Sequence, residues 1–441
     1  MTADIRFFWS RLNANYWFYP ALFSILAAAL AFGMITLDRS GAAAFLNDVS
    51  WIVPSRPKGA ADMLTVMAGS MIGVASTVFS ITIAAVAYAS GNYGPRLLTN
   101  FMEDRGNQLS LATFIGSFVY AIIVLRSVRG ADEPAANIEE VGTAVAGFTP
   151  QLSLLVAYAL MGLCVAVLVF FLNHIPSSIR VNKVLEGIGR RMLSNLRTAY
   201  PKENEYSDAM EPREGKPVCA WATGYIQLID FGDLVKIARD NDAVFSLRMR
   251  TGDFVHRDLP IMDVEGCEPE DIEEKIRACF TLGATRTPDQ DPQFLIDELV
   301  EIGLRALSPG INDPFTAITA LHWLGAATTE IARRDLRKDV CGEDAEDCPV
   351  IPAPDDFDHY IQRGFGSIRS GVATSPIASE VMLDTLANAA APVQNQQRRN
   401  RIRAEGVLLG EQVRQHLVGP DLERYERNEV AFLKKFREEP A

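Results

Sequence analysis

Charge is what four stretches of this chain lack. Residues 20–37, 63–89, 109–125 and 151–172 contain no Asp, Glu, Lys or Arg. Each is of the order needed to cross the roughly 30 Å of bilayer hydrocarbon as a helix, the third being the shortest. Catalytic signatures are absent too. The sequence has no glycine-rich phosphate loop ending in Lys-Ser or Lys-Thr, no HExxH, no GxSxG and no dinucleotide fingerprint after a strand. Five histidines and no cluster of titratable residues leave general acid–base chemistry without candidates, so no catalytic, cofactor-binding or metal residue is assigned. The six cysteines form no CxxC pair and have no histidine at zinc spacing; Cys341 and Cys348, in an acidic loop, read as free cytosolic thiols. A net charge of −13 with no concentrated basic stretch argues against nucleic acid as a partner.

What is present divides the chain. Residues 1–175 carry nine Lys+Arg against ten Asp+Glu, so nearly all the negative charge belongs to the remainder. Trp17, Phe18 and Tyr19 stand before the first apolar run, as an interfacial aromatic belt would. The run is longer than a signal-peptide core and has no small-residue cleavage site, so it reads as retained. Arg180, Lys183, Arg190, Arg191 and Arg197 follow the fourth run, whereas Asp132, Glu133, Glu139 and Glu140 lie between the third and fourth. The bias of cations toward the cytoplasm places both termini there, against the sense of Arg126 and Arg129.

The second run has two unlike faces. At 100° per residue, Gly69, Gly73, Ser76, Ser80 and Ala87 share one narrow sector with Ala84 and Gly91. Small residues in a membrane helix allow close packing of backbones. They equally suit the lining of a path, where hydroxyls meet water. Four spans enclose little, so lining favours an oligomer. Gly91, Gly94 and Pro95 then read as a hinge at the inner boundary, because proline disfavours helix in the residue before it.

Beyond the spans, 175 to about 200 reads as a basic amphipathic helix whose cations meet anionic headgroups. His174, at the boundary, reads as a structural hydrogen-bonder. Strand-like runs at 219–229 and 243–257 flank a short helix, FGDLVKIARD, and LPIMDVEG follows as another strand. Residues 269–282 read as a helix, 332–358 as an acidic loop and 359–436 as helices. Asp291-Pro292 and Asp313-Pro314 share one grammar, an N-cap aspartate with proline at the first helical position. LSPGINDP is therefore a helical-hairpin connector. Its functional alternative rests on Ser308, Asn312 and Asp313 at a helix N-terminus, where backbone N–H groups hold anions. The run QQRRNRIR reads as a solvated basic face.

VFSITIAAVAYASGNYGPRLLTNFMEDRGNQLSLATFIGSFVYAIIVL, FFLNHIPSSIRV, GYIQLID with GDFV, and above all DPQFLIDELVEIGLRALSPGINDPFTA resemble a bacterial family of predicted membrane proteins, domain of unknown function 2254. The resemblance covers nearly the whole chain and implies a four-span inner-membrane protein with a cytosolic domain. It brings no catalytic residues. The expected fold is mainly α: a four-helix transmembrane domain at 1–175, a membrane-proximal helix and linker at 176–217, a small mixed α/β, barrel-like unit at 218–265 and a helical domain at 266–441. The leading functional expectation is an oligomeric ion channel or transport-type protein in the bacterial inner membrane, regulated or assembled by its cytosolic part. The alternative is a non-transporting sensor or scaffold. Expected partners are the bilayer, further copies of the chain, and ions or a small ligand.

Overall fold

The computed structural model describes residues 15–40, 56–94, 104–130, 148–178, 180–200, 211–336, 340–341 and 348–437. They form two compact units, Met1–Arg180 and Val181–Ala441.

The first unit is a bundle of α1 (Phe18–Arg39), α2 (Pro57–Tyr93), α3 (Arg105–Leu125) and α4 (Gln151–Ser178). All four are long and apolar enough to cross a membrane. α3 is the central helix and the most buried of the four. Its Gly116 lets α1 approach closely, since a Cβ there would lie 3.3 Å from the Phe23 carbonyl oxygen. Each end of the bundle is tied by an aspartate. Asp38, in the last turn of α1, accepts from Leu152 N, Ser153 N and Ser153 Oγ at 2.7–2.9 Å and so caps α4. Asp104 caps α3 through Gly106 N and Asn107 N and takes His174 Nε2 at 2.9 Å. His174 also stacks on Phe170, with ring centroids 5.0 Å apart.

The second unit begins with α5 (Val181–Ala199), whose apolar face, Leu185, Ile188, Met192 and Leu196, is buried. The sheet part holds β1 (Lys216–Cys219), β2 (Gly224–Ile229), α6 (Phe231–Asp240), β3 (Val244–Leu247), β4 (Phe254–Val255), β5 (Pro260–Glu265), α7 (Glu273–Ala278) and β6 (Phe280–Gly283). Then come α8 (Pro292–Ala306), α9 (Pro314–Ala332), β7 (Val350–Ile351), α10 (Phe357–Ile361), a π-helical turn at Gln362–Gly366, α11 (Ser367–Val372), α12 (Pro376–Ala390), α13 (Gln396–His416) and α14 (Gly419–Lys435). One sheet has the order β1-β5-β3-β7 and the other β4-β2-β6. All pairings are antiparallel except β3 with β7. Val218, Ile226, Phe245, Val255, Met262 and Phe280 share one core.

Two sequence expectations change here. The stretch 269–282 is not one helix: α7 stops at Ala278, and Phe280–Gly283 pairs with β2 in the register Tyr225↔Gly283 and Ile229↔Phe280. A partner strand some fifty residues upstream overrides local helix propensity. Cys341 and Cys348 are not free thiols but a disulfide, with Cα atoms 5.8 Å apart. Cys348 is buried beside β7, and Cys341 packs against the same core, so tertiary packing brings the two sulfurs together.

Candidate functional site

The small-residue face of α2 is exposed, and its Gly69–Gly73 end opens on a groove beside α4 of the same bundle. Leu64, Met67, Met71, Ala75, Val78, Thr82 and Val86 are buried, whereas Gly69, Gly73, Ser76, Ser80, Ala84, Ala87 and Gly91 are exposed. A Cβ added at Gly69, Gly73 or Gly91 would meet no described atom within 4 Å. Thr77 Oγ1 donates to Gly73 O at 3.0 Å and Ser80 Oγ to Ser76 O at 2.9 Å. These hydroxyl protons are therefore used within the helix, and the oxygens remain as acceptors. Gly69, Ser70, Gly73 and Thr77 form one wall of an open groove of about 500 Å³, with Leu168, Phe171 and Leu172 of α4 on the other. α2 runs unbroken through Gly91 and ends at Gly94, whose φ of 122° suits glycine alone. Pro95, the third of the hinge residues, lies outside the described residues.

The LSPGINDP loop satisfies its own polar groups. Asp313 N donates to Ala306 O at 2.7 Å, Asn312 N to Ser308 O at 2.9 Å, and Ser308 Oγ to Arg305 O at 2.6 Å. Asn312 sits at φ +50°, a conformation asparagine tolerates better than most residues. Asp313 accepts from Thr316 N at 3.2 Å and Thr316 Oγ1 at 2.6 Å. Its carboxylate fills the helix N-terminus that an anion would occupy.

A buried network of charges joins the sheets to the helices of the second unit, and sequence reading missed it. Asp291 caps α8 through Gln293 N and Phe294 N, and its Oδ2 takes Arg286 Nε at 2.8 Å. Arg286 also binds Asp297, one turn into α8, and Asp297 receives Arg363 at 2.6 and 2.7 Å. The β3–β4 turn lies on this cap: Thr251 Oγ1 donates to Gln290 O at 2.6 Å, and a Cβ on Gly252 would sit 2.2 Å from Asp291 Oδ2. Beside it, Arg250 binds Asp355 at 2.9 Å, Tyr200 OH donates to Asp355 at 2.5 Å, and Tyr200 and Tyr360 join hydroxyls at 2.7 Å. His359 Nε2 meets Gln293 Oε1 at 3.1 Å. The only local signal in the sequence was the Asp-Pro cap; the partners come from positions far apart in the chain.

Burial pushes the phenols of Tyr200 and Tyr360 well above the usual range and keeps them neutral. Burial also pulls His359 below the usual imidazole range, helped by Arg250 and Arg363. For Asp297, burial raises the pKa, but the Arg363 hydrogen bond and charge, with Arg286, outweigh it and hold the carboxyl low. Both His359 and Asp297 thus have depressed folded-state values, so the unfolded chain binds more protons and stability grows with pH. The contribution is complete above the unfolded values, about 6.5 for His and about 4 for Asp, and is lost as pH falls through the depressed ones. The unfolding midpoint of the detergent-solubilised protein is expected to drop between about pH 7 and about pH 5, and His359→Gln is expected to flatten that part of the curve.

The QQRRNRIR run is not a free basic face. Arg398 Nη1 donates to the carbonyls of Ile331, Ala332 and Arg334 at the end of α9, and Arg399 Nη1 to that of Ala390 at the end of α12. Arg401 pairs with the fully buried Glu405. Guanidinium groups here serve as helix C-caps. Among the described residues no three His, Cys, Asp or Glu side chains stand together as metal ligands.

A family model described as "Predicted membrane protein (DUF2254)" matches residues 13–388. Uncharacterized proteins of Mycobacterium bovis and of two Mycobacterium tuberculosis strains are each 28% identical over 365 residues, covering 80% of this chain and 68% of theirs. No solved structure matches the chain.

Proposed function

Because the chain belongs to the DUF2254 family of predicted membrane proteins, we propose that it is an oligomeric channel or transport-type protein in which α2 faces a shared path. The observation that carries this reading is the exposed small face of α2, open at Gly69 and Gly73 and bearing Ser76 and Ser80. A helix packed on one side and carrying on the other a stripe of small residues beside exposed Ile72, Phe79, Ile83 and Tyr88 is shaped for a second copy or for water. In this reading the membrane is the bacterial inner membrane, both termini are cytoplasmic, the cargo is an ion or small solute, and the second unit assembles or regulates the pore.

The test is flux of a small-ion panel through full-length protein in liposomes, with and without Ser76→Trp. Flux that the substitution blocks, in a protein that still folds, supports the reading. A second reading, a non-transporting sensor or scaffold, is favoured by a polar pocket of about 360 Å³ lined by Asp335, Asp355, Asp356, Asp358, Asn395 and Arg398. It touches the Arg250–Asp355–Tyr200 network directly. Absence of flux at any voltage or pH, with ligand-induced thermal stabilisation of the full chain, would transfer the function to that pocket.

A further inference from the structure

Of the large apolar side chains left exposed on the second unit, Phe254, Leu408 and Val430 stand apart and the other five cluster. Ile311 (44%), Phe315 (68%), Ile377 (44%) and Val418 (81%) gather at one end of its helices, with Leu304 at their edge. Register places them there. α8 and α9 form a hairpin whose connector carries Ile311, with Phe315 in the first turn of α9. Gly325 packs on Thr385 and Thr329 Oγ1 reaches Ala389 O, so α9 and α12 run in parallel and Ile377 lies level with the start of α9. Arg424, near the start of α14, binds Glu380 near the start of α12 at 2.5 Å, which brings the Val418 corner to the same end. Gly371 rests on Leu304 and Leu307 and closes the α11–α12 corner beside them.

That end has a known neighbour along the chain. α5 also runs parallel to α9: Gly189 faces Trp323, Arg197 binds Glu330, and Arg334 Nη1 reaches Tyr200 O. Stepping back along both helices at equal rate sets Val181 level with Phe315. Val181 follows Ser178, the last residue of the fourth apolar helix, with two residues between. Two residues span at most about 10 Å between these ends. The apolar tip therefore lies at the end of the unit where the chain arrives from the bilayer. Arg180 and Lys183 are exposed at that end, and neither forms an ion pair with a described residue. Exposed apolar bulk beside exposed cations is the composition of surfaces that enter an anionic headgroup layer.

We propose that Ile311, Phe315, Ile377 and Val418 form a membrane-docking tip that inserts into the leaflet from which α4 emerges, with Arg180 and Lys183 on its anionic headgroups. LSPGINDPF is then a rigid turn that presents apolar side chains to lipid while its polar groups stay satisfied within the loop. The proposal depends on the chain crossing a membrane and not on whether it conducts.

Tryptophan placed at the tip reads the contact directly. Full-length Phe315→Trp and Ile311→Trp variants, with Gln394→Trp at the opposite end as the control, are reconstituted in phosphatidylglycerol-containing liposomes with or without brominated acyl chains. Emission is measured as the increment over the five native tryptophans. The increments at 315 and 311 are expected to be blue-shifted and mostly quenched by brominated lipid, independently of the protein-to-lipid ratio, and that at 394 to be unaffected. Removing the anionic lipid is expected to weaken the quenching. Increments at 315 and 311 that stay open to aqueous acrylamide and escape brominated lipid overturn the proposal. Increments shielded from both quenchers overturn it as well, because they mean that protein covers the tip. A chain that shows no flux leaves these outcomes unchanged.

Discussion

Asp297→Ala is expected to destabilise the second unit by about 3–5 kcal/mol, the usual cost of removing one partner from a buried ion pair. Asp297 receives Arg286 and, through two hydrogen bonds, Arg363. Arg286 is only 10% exposed and keeps Asp291 as a second partner; Arg363 is 31% exposed and keeps none of the hydrogen bonds that Asp297 provides. The partial exposure of Arg363 lets water repay part of the loss, which places the effect toward the lower end of the range. Asp297→Asn retains an acceptor and the volume, so a smaller loss is expected. The measurement is denaturant or thermal unfolding of the full-length protein, followed by a signal from the second unit such as Trp221 or Trp323 fluorescence. A D297A chain that unfolds where the parent does would mean that the network contributes nothing net. Arg363→Met with Asp297→Leu, which removes the Asp297–Arg363 pair while Arg286 keeps Asp291, is expected to recover stability relative to D297A.

Gly252→Val is expected to cost about 3 kcal/mol or more, through two separate effects. Gly252 sits at φ +92°, where a side chain costs about 1–3 kcal/mol, and more for a β-branched residue. The new Cβ would also stand 2.2 Å from Asp291 Oδ2. Asp291 has to move, and the cap it gives to α8 is worth about 1 kcal/mol. Gly310→Ala is the contrast: a Cβ there meets nothing within 4 Å and φ is not positive, so a change within about 0.5 kcal/mol is expected. Gly252→Val and Asp297→Ala share Asp291 and Arg286, so their costs are expected not to add. Additive losses would show that the turn and the ion network act independently.

Properties set by a few adjacent residues were legible in the sequence. The four apolar helices follow from hydropathy and length alone, because bilayer thickness sets the requirement residue by residue. The caps at Asp291 and Asp313 follow from the side chain and the proline beside it. The two faces of α2 follow from its period. Tertiary structure decided whatever depends on a distant partner. It turned 280–283 into a strand by pairing it with β2. It made Arg398 and Arg399 of QQRRNRIR into caps for α9 and α12, because the carbonyl ends of those helices converge on α13. It joined Arg286, Asp297 and Arg363, which no spacing connects. Among the described residues it left nothing within 4 Å of a Cβ at Gly69 or Gly73 on α2, and it gathered Phe315, Ile377 and Val418 at one end. Local chemistry acts over a turn or two of chain, whereas which surfaces meet depends on how all the elements pack together.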